Sequence, residues 1–282
     1  MEAPVRTPNR YERWRNENMR HGKLIPSLGI GAVAILFTVA LFRLRGVESG
    51  VGPDNAREIH VAAASNFADA IQTIARRFEQ QAGHRVILSL GATGKHYAQI
   101  TNGAPFHVFF AADADRPTRL ESDGAAVPGS RFTYALGRLV LWSPDAAFVD
   151  ARGEALRTAD YKHLAVANPK LAPYGAAAQE TLEHLRLWAD LQPKIVRGEN
   201  LGQTIQFIRS GAADLGFVAY AQIKRPGLPH EGSYWEIPHE LYTPIQQQAV
   251  LLQEDPAARA FLEFVRGPEG REIIRGYGYG VP

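Results

Sequence analysis

The sequence predicts an α/β protein of two lobes, preceded by an apolar N-terminal helix. Three observations carry that expectation. Apolar strand-like runs alternate with segments of helical spacing through residues 58–282. The run Val108-Phe-Phe-Ala-Ala112 is uninterrupted in its apolarity, as in a strand covered on both faces. About 220 residues of such alternation exceed one small doubly wound domain, and the pattern argues for parallel sheets with helices on both sides.

The chain begins with a segment of different character. Residues 24–42 contain no charged side chain, and nineteen residues at helical rise span about 28 Å, close to the hydrocarbon thickness of a bilayer. Arg6, Arg10, Arg13, Arg15, Arg20 and Lys23 precede the run, and Arg43 and Arg45 come after it. The basic excess on its N-terminal side places the N-terminus in the cytoplasm and exports the body of the chain. A cleaved long signal and an uncleaved anchor both fit, and the lack of a convincing A-x-A site favours the anchor. Residues 43–57 are then a linker rich in small and polar residues.

In the exported part, strands are expected at 58–64, 85–90, 108–112, 139–142, 164–167, 194–197, 215–219 and 248–252. Helices are expected at 66–81, 95–101, 176–187, 202–210, 256–266 and 269–277. Phe67, Ala70, Ile71, Ile74, Ala75 and Phe78 form the apolar face of the first helix, and Gly83 stops it. The expected division is a leader at 1–23, the apolar helix at 24–42, the linker at 43–57, one lobe from 58–133 plus 241–282, and a second lobe from 134–240.

Composition removes several function classes. Of 282 residues 45% are hydrophobic and 21% charged, too apolar for a disordered chain and too polar for a multi-spanning membrane protein. With no cysteine there is no disulfide framework, thiolate metal site, cysteine nucleophile or lipid-modified N-terminal cysteine. Residues 1–57 hold nine basic and five acidic side chains, leaving 22 and 24 in the remainder. A body so near neutrality is a poor nucleic-acid binder. The nine histidines show no paired metal spacing. Gly91-Ala-Thr-Gly94-Lys95 is no phosphate loop, since His96 stands where Ser or Thr is needed. Gly276-Tyr-Gly278-Tyr-Gly280 opens no helix, and neither H-E-x-x-H nor G-x-S-x-G occurs.

Four helix starts share one chemistry: Ser65-Asn66, Gly91-Ala-Thr93-Gly94-Lys95, Ala172-Pro173-Tyr174-Gly175-Ala176 and Gly198-Glu-Asn200-Leu201-Gly202. Each offers unpaired backbone N–H groups and the positive end of a helix dipole. Ser65, Asn66 and Thr93 add side-chain donors. Taken singly, Ser65 and Thr93 are ordinary caps, Tyr174 a packing residue at a turn and Leu201 a core residue. Converging, the four starts would cage a small oxyanion without an arginine.

The segments Val61-Ala-Ala-Ala-Ser65-Asn66-Phe67, Gly91-Ala-Thr-Gly94-Lys95, Val108-Phe-Phe-Ala-Ala-Asp113 and Leu215-Gly-Phe-Val218, with the C-terminal Phe261 to Gly270 stretch, give the body a resemblance. It is similar to the substrate-binding proteins of molybdate ABC transporters over roughly residues 59–278. The resemblance implies a type II periplasmic-binding-protein fold, two α/β lobes closing on molybdate or tungstate. It also implies Ser65, Asn66, Thr93, Tyr174 and Leu201 as the oxyanion-binding residues, with Tyr174 and Leu201 acting through backbone N–H. Other members use a tyrosine where this chain has Ala219, which leaves Tyr220 as a weak candidate. His107 replaces a usual acidic residue and bears on packing or hinge behaviour.

The expected function is delivery of molybdate, or tungstate, to an ABC transporter permease. The protein would be a periplasmic monomer without cofactor or catalytic residue, tethered to the membrane by 24–42 if uncleaved. The alternatives are a binder of sulfate or another tetrahedral oxyanion, a membrane-tethered oxyanion sensor, and a hydrolase using Ser65. The last needs a histidine base and an acidic orienter that the segment around Ser65 does not supply.

Overall fold

A computed structural model describes residues 56–158 and 160–282. The expected leader, the apolar helix at 24–42 and the linker up to residue 55 lie outside the described residues. Among the described residues no helix is long and apolar enough to cross a membrane.

In chain order the strands are β1 (Glu58–Ala64), β2 (Arg85–Gly91), β3 (Val108–Phe110), β4 (Phe132–Gly137), β5 (Leu139–Ser143), β6 (Leu164–Ala167), β7 (Ile195–Gly198), β8 (Leu215–Ala219), β9 (Ser233–Glu236) and β10 (Ile245–Leu251). The helices are α1 (Ala68–Ala82), α2 (Thr93–Thr101), α3 (Asp115–Ser122), α4 (Ala155–Thr158), α5 (Pro173–His184), α6 (Trp188–Leu191), α7 (Leu201–Arg209), α8 (Tyr220–Ile223), α9 (Pro256–Arg266) and α10 (Pro268–Gly276).

Two five-stranded sheets result, ordered β2-β1-β3-β10-β4 and β7-β6-β8-β5-β9. In each, three strands are parallel: β1 with β2 and β3, β6 with β7 and β8. Parallel strands bring their carboxyl ends to one edge, so the helices after them all begin there. The expectation of parallel sheets holds for three strands of each, and the sheets as a whole are mixed. β10 is antiparallel to β3 and β4, and β5 is antiparallel to β8 and β9. The cause is the route of the chain, which passes from β4 to β5 through the single residue Arg138 and returns to the first sheet in β10.

Strand β1 is buried on both faces, Ile59, Val61, Ala62 and Ala63 all being fully enclosed, which fits its central place. Helix α1 buries Ala70, Ile71, Ile74, Ala75 and Phe78 against Phe110, Phe261 and Ile274. It ends where Gly83 takes φ +71 and donates its N–H to Glu79 O, a left-handed cap that favours glycine. A second apolar cluster under the other sheet joins Leu164, Val166, Phe217 and Leu182 to Ala64 and Ala112 of the first. Apolar packing is therefore continuous where the halves meet.

Candidate functional site

Each expected helix start comes after the carboxyl end of a parallel strand. β1 leads into a single 3-10 turn, Ser65–Phe67, ahead of α1. β2 leads through extended Ala92 into Thr93 of α2. The segment after β6 brings Pro173 and Tyr174 to the start of α5, and β7 leads through Asn200 into Leu201 of α7. Asn200 caps α7, its Oδ1 accepting the Gln203 N–H at 3.0 Å.

The four starts converge on one cavity. Its walls are Ala64, Ser65, Asn66, Gly91, Ala92, Thr93 and Ala112 from the first sheet's side, and Ala172, Pro173, Tyr174, Asn200 and Leu201 from the second's. It is small, about 190 Å³ of empty space with its open mouth included. No charged side chain lines it. Small residues form much of the wall, leaving backbone amides accessible. Two glycines around it are closely packed, Gly175 against backbone and Gly91 against a side chain. A Cβ on Gly91 would lie 2.9 Å from His96 Nε2, and one on Gly175 would lie 2.3 Å from Ala167 O.

The hydroxyls are poised as donors. Ser65 Oγ accepts the Gly202 N–H at 3.1 Å, and Thr93 Oγ1 accepts the Ala112 N–H at 3.0 Å. A hydroxyl has one proton, so each bond uses a lone pair and leaves O–H free to donate. Thr93 is 1% exposed and Leu201 3%, so a guest would meet these groups in a poorly hydrated space.

Asn66 differs from the expectation that its side chain joins the cage. Its Nδ2 donates to Gln247 Oε1 at 2.6 Å and to the Tyr279 hydroxyl at 3.2 Å. Both amide protons are engaged, which leaves the backbone N–H as the group of Asn66 still able to donate. Tyr174 likewise presents its backbone at the start of α5, where Pro173 has no N–H to give. Its buried ring runs to Gly137, at which a Cβ would sit 2.3 Å from the Tyr174 hydroxyl. That hydroxyl has no hydrogen-bond partner, and burial holds its pKa well above the usual phenol value.

Two further residues lie elsewhere. Tyr220 does not line the cavity; the Arg138 guanidinium stacks on its ring, 4.2 Å from the centroid. His107 lies just before β3, at the opposite end of the strand from the site. Its Nδ1 accepts the His60 N–H at 2.9 Å, and the two rings stack with centroids 5.7 Å apart. Its role there is local to β1 and β3.

The halves also meet directly beside the cavity. Besides the Ser65–Gly202 bond, Gly94 N–H donates to Leu171 O at 2.9 Å, and Lys95 Nζ lies 3.7 Å from Glu199 Oε2. An adjoining larger cleft of about 1080 Å³, its open mouth included, is lined by Asp113, Asp115, Arg116 and Glu180 among others. Its carboxylates make it the poorer place for an anion. Burial raises the Asp113 carboxyl pKa, and the Arg116 charge opposes that rise.

Comparison with known proteins gives the geometry a lineage. A family model described as bacterial extracellular solute-binding protein matches residues 59–280. The chain belongs to that family. This solute-binding protein is 48% identical over 229 residues to the molybdate-binding protein ModA of Azotobacter vinelandii, covering 80% of this chain and 91% of the relative. To ModA of Rhodobacter capsulatus it is 49% identical over 231 residues, with 80% and 90% covered. The solved periplasmic molybdate-binding protein of Azotobacter vinelandii superposes with a TM-score of 0.77 at 44% identity, covering 79% of this chain and 99% of that one.

Some residues of the site carry little or no signal in the sequence. Ala112 comes after β3 and supplies the N–H that orients Thr93; a small residue just past a buried strand is the only local hint. Gly202 reads from sequence as part of a helix opening, without any sign that its N–H would reach Ser65. Gln247 and Tyr279 carry no local signal, because their relevance depends on contact with Asn66 from 181 and 213 residues away.

Proposed function

We propose that the protein binds molybdate, or tungstate, between its two lobes and delivers it to an ABC transporter permease. The observation that carries this is the convergence of four helix starts and two free hydroxyl protons on one small cavity without a charged side chain. Relatives at 48% and 49% identity that carry the name molybdate-binding protein support the same ligand. Molybdate at neutral pH is a dianion whose oxygens only accept hydrogen bonds. A wall of donors suits it, and helix N-termini stabilise its charge. Hydrogen phosphate brings an O–H that would find no acceptor in such a wall. Sulfate matches in charge, so cavity size must reject it.

The reading is of a binder and not of an enzyme. Ser65 Oγ accepts a backbone N–H, and among the described residues no histidine or carboxylate is hydrogen-bonded to it. A serine without a base is a poor nucleophile. The protein would act in the periplasm as a monomer without cofactor, held at the membrane by residues 24–42 if these are not removed. N-terminal sequencing of the mature protein distinguishes anchor from cleaved signal.

The test is a titration panel on protein purified from cells expressing the full chain. Molybdate and tungstate should bind one per chain, with saturating ligand at 100 times Kd adding about 2.7 kcal/mol to stability. Sulfate and phosphate should bind at least about tenfold more weakly, a difference of about 1.4 kcal/mol, phosphate for its unpaired O–H and sulfate for its size. Tight sulfate binding with no response to molybdate would reassign the ligand.

A further inference from the structure

The C-terminal Gly-Tyr-Gly-Tyr-Gly run at 276–280, which matches no nucleotide motif, is built into the first sheet beside the cavity. Gly280 exchanges backbone hydrogen bonds with Leu136 of β4, at 3.0 Å and 2.7 Å. Gly278 takes φ +88, and a Cβ there would lie 2.7 Å from the Tyr220 ring. Both features fix the path of Tyr279 between them. The Tyr279 hydroxyl donates to Asn66 O at 2.8 Å and accepts from Asn66 Nδ2 at 3.2 Å. Its ring meets Phe67 edge-on, with centroids 5.6 Å apart. Tyr279 thus grips two of the three residues of the Ser65–Phe67 turn, yet it does not line the cavity.

The Ser65–Phe67 turn is the 3-10 start of α1, and the first N–H groups of a helix have no partner within it. Neighbouring groups help to set the direction of those N–H groups. In a trans peptide the N–H points opposite to the carbonyl, so anchoring Asn66 O fixes the direction of the Phe67 N–H, while the side-chain bonds of Asn66 hold the residue that lines the cavity. The Asn66 side chain is held a second time by Gln247, which also stands within 3.4 Å of the Tyr134 hydroxyl. Burial holds the Tyr279 phenol above its usual pKa, so it keeps its proton and remains a donor over the physiological range.

We infer that Tyr279 is a positioning residue of the oxyanion site, acting through Asn66 to aim the amides of the Ser65–Phe67 turn. The inference rests on the proposed oxyanion function. In isothermal titration of the full chain with molybdate, Tyr279→Phe should raise Kd about tenfold. Tyr277→Phe is the control, because its hydroxyl bonds Thr73 Oγ1 at 2.9 Å on α1; it should stay within about twofold of the parent. In NMR spectra of the ligand-free protein, the Asn66 and Phe67 amide signals should move in Tyr279→Phe and not in Tyr277→Phe. If Tyr279→Phe does not accumulate folded, Gln247→Met removes the other acceptor of the Asn66 amide and carries the same expectation. Unchanged affinity in the Tyr279 variant, or equal loss in both tyrosine variants, overturns the inference alone. Parent protein that binds neither molybdate, tungstate nor sulfate overturns the oxyanion reading instead.

Discussion

Thr93 shows how one hydroxyl serves both fold and site. Its oxygen satisfies the Ala112 N–H, and its proton is free for a guest. Thr93→Ala should weaken molybdate binding by about 1.5–3 kcal/mol, the range for a bond to a charged oxygen. It should also cost stability, because a buried N–H loses its partner. Ser65→Ala should lose a similar amount of affinity together with the link to Gly202, whereas Thr93→Ser should stay near the parent. Calorimetric titration and thermal melts separate the two effects; unchanged affinity in both alanine variants would remove these side chains from the site. His96 supplies the pH dependence. Burial lowers its pKa below the ordinary 6.5, and its bond to Gln99 opposes that only in part. The unfolded chain therefore binds a proton that the folded chain refuses. The stabilisation is complete above about pH 6.5 and is lost as pH falls towards the folded value. Melting temperature should drop as pH goes from 7 to 5, and His96→Gln should flatten that slope.

At the scale of elements, a start is useful only if its helix is held there. Asn200 caps α7 through Gln203 N–H and accepts the Thr204 hydroxyl and N–H at its carbonyl. Asn200→Ala should cost about 1 kcal/mol of stability, the usual loss for a cap. Because α7 opens onto the cavity, affinity should fall as well; a melt and a titration of the same sample check both. Several elements escape the sequence pattern for identifiable reasons. Helix α3 buries only Pro117 and Leu120, too few apolar positions to show helical spacing. Strand β9 is a four-residue edge strand with every second residue buried, and β4 carries mixed burial. Helices α4, α6 and α8 are four residues each, shorter than the window over which a helical period can be read.

For the whole molecule, the contacts across the cavity differ in weight. Lys95 and Glu199 are both more than half exposed, and exposed pairs contribute between nothing and about 1 kcal/mol. Lys95→Ala should therefore change molybdate affinity by less than about 1 kcal/mol, far less than Thr93→Ala. A loss as large would mean that formal charge helps to hold the ion. The apolar cluster joining Ala64 and Ala112 to Leu201 and Tyr174 is better placed to hold the halves together, being shielded from water.

The sequence alone determined the alternation of elements and the small or polar residues at the four helix starts. Periodicity and capping act within a few residues, so they are written locally. Tertiary structure decided the rest. It reversed β5 and β10, turned the Asn66 amide away from the cavity towards Gln247 and Tyr279, and set Gly202 against Ser65 across 137 positions. Those outcomes depend on which distant groups arrive beside which. Only packing of the folded chain selects among the many partners that a serine, an asparagine or a tyrosine can satisfy.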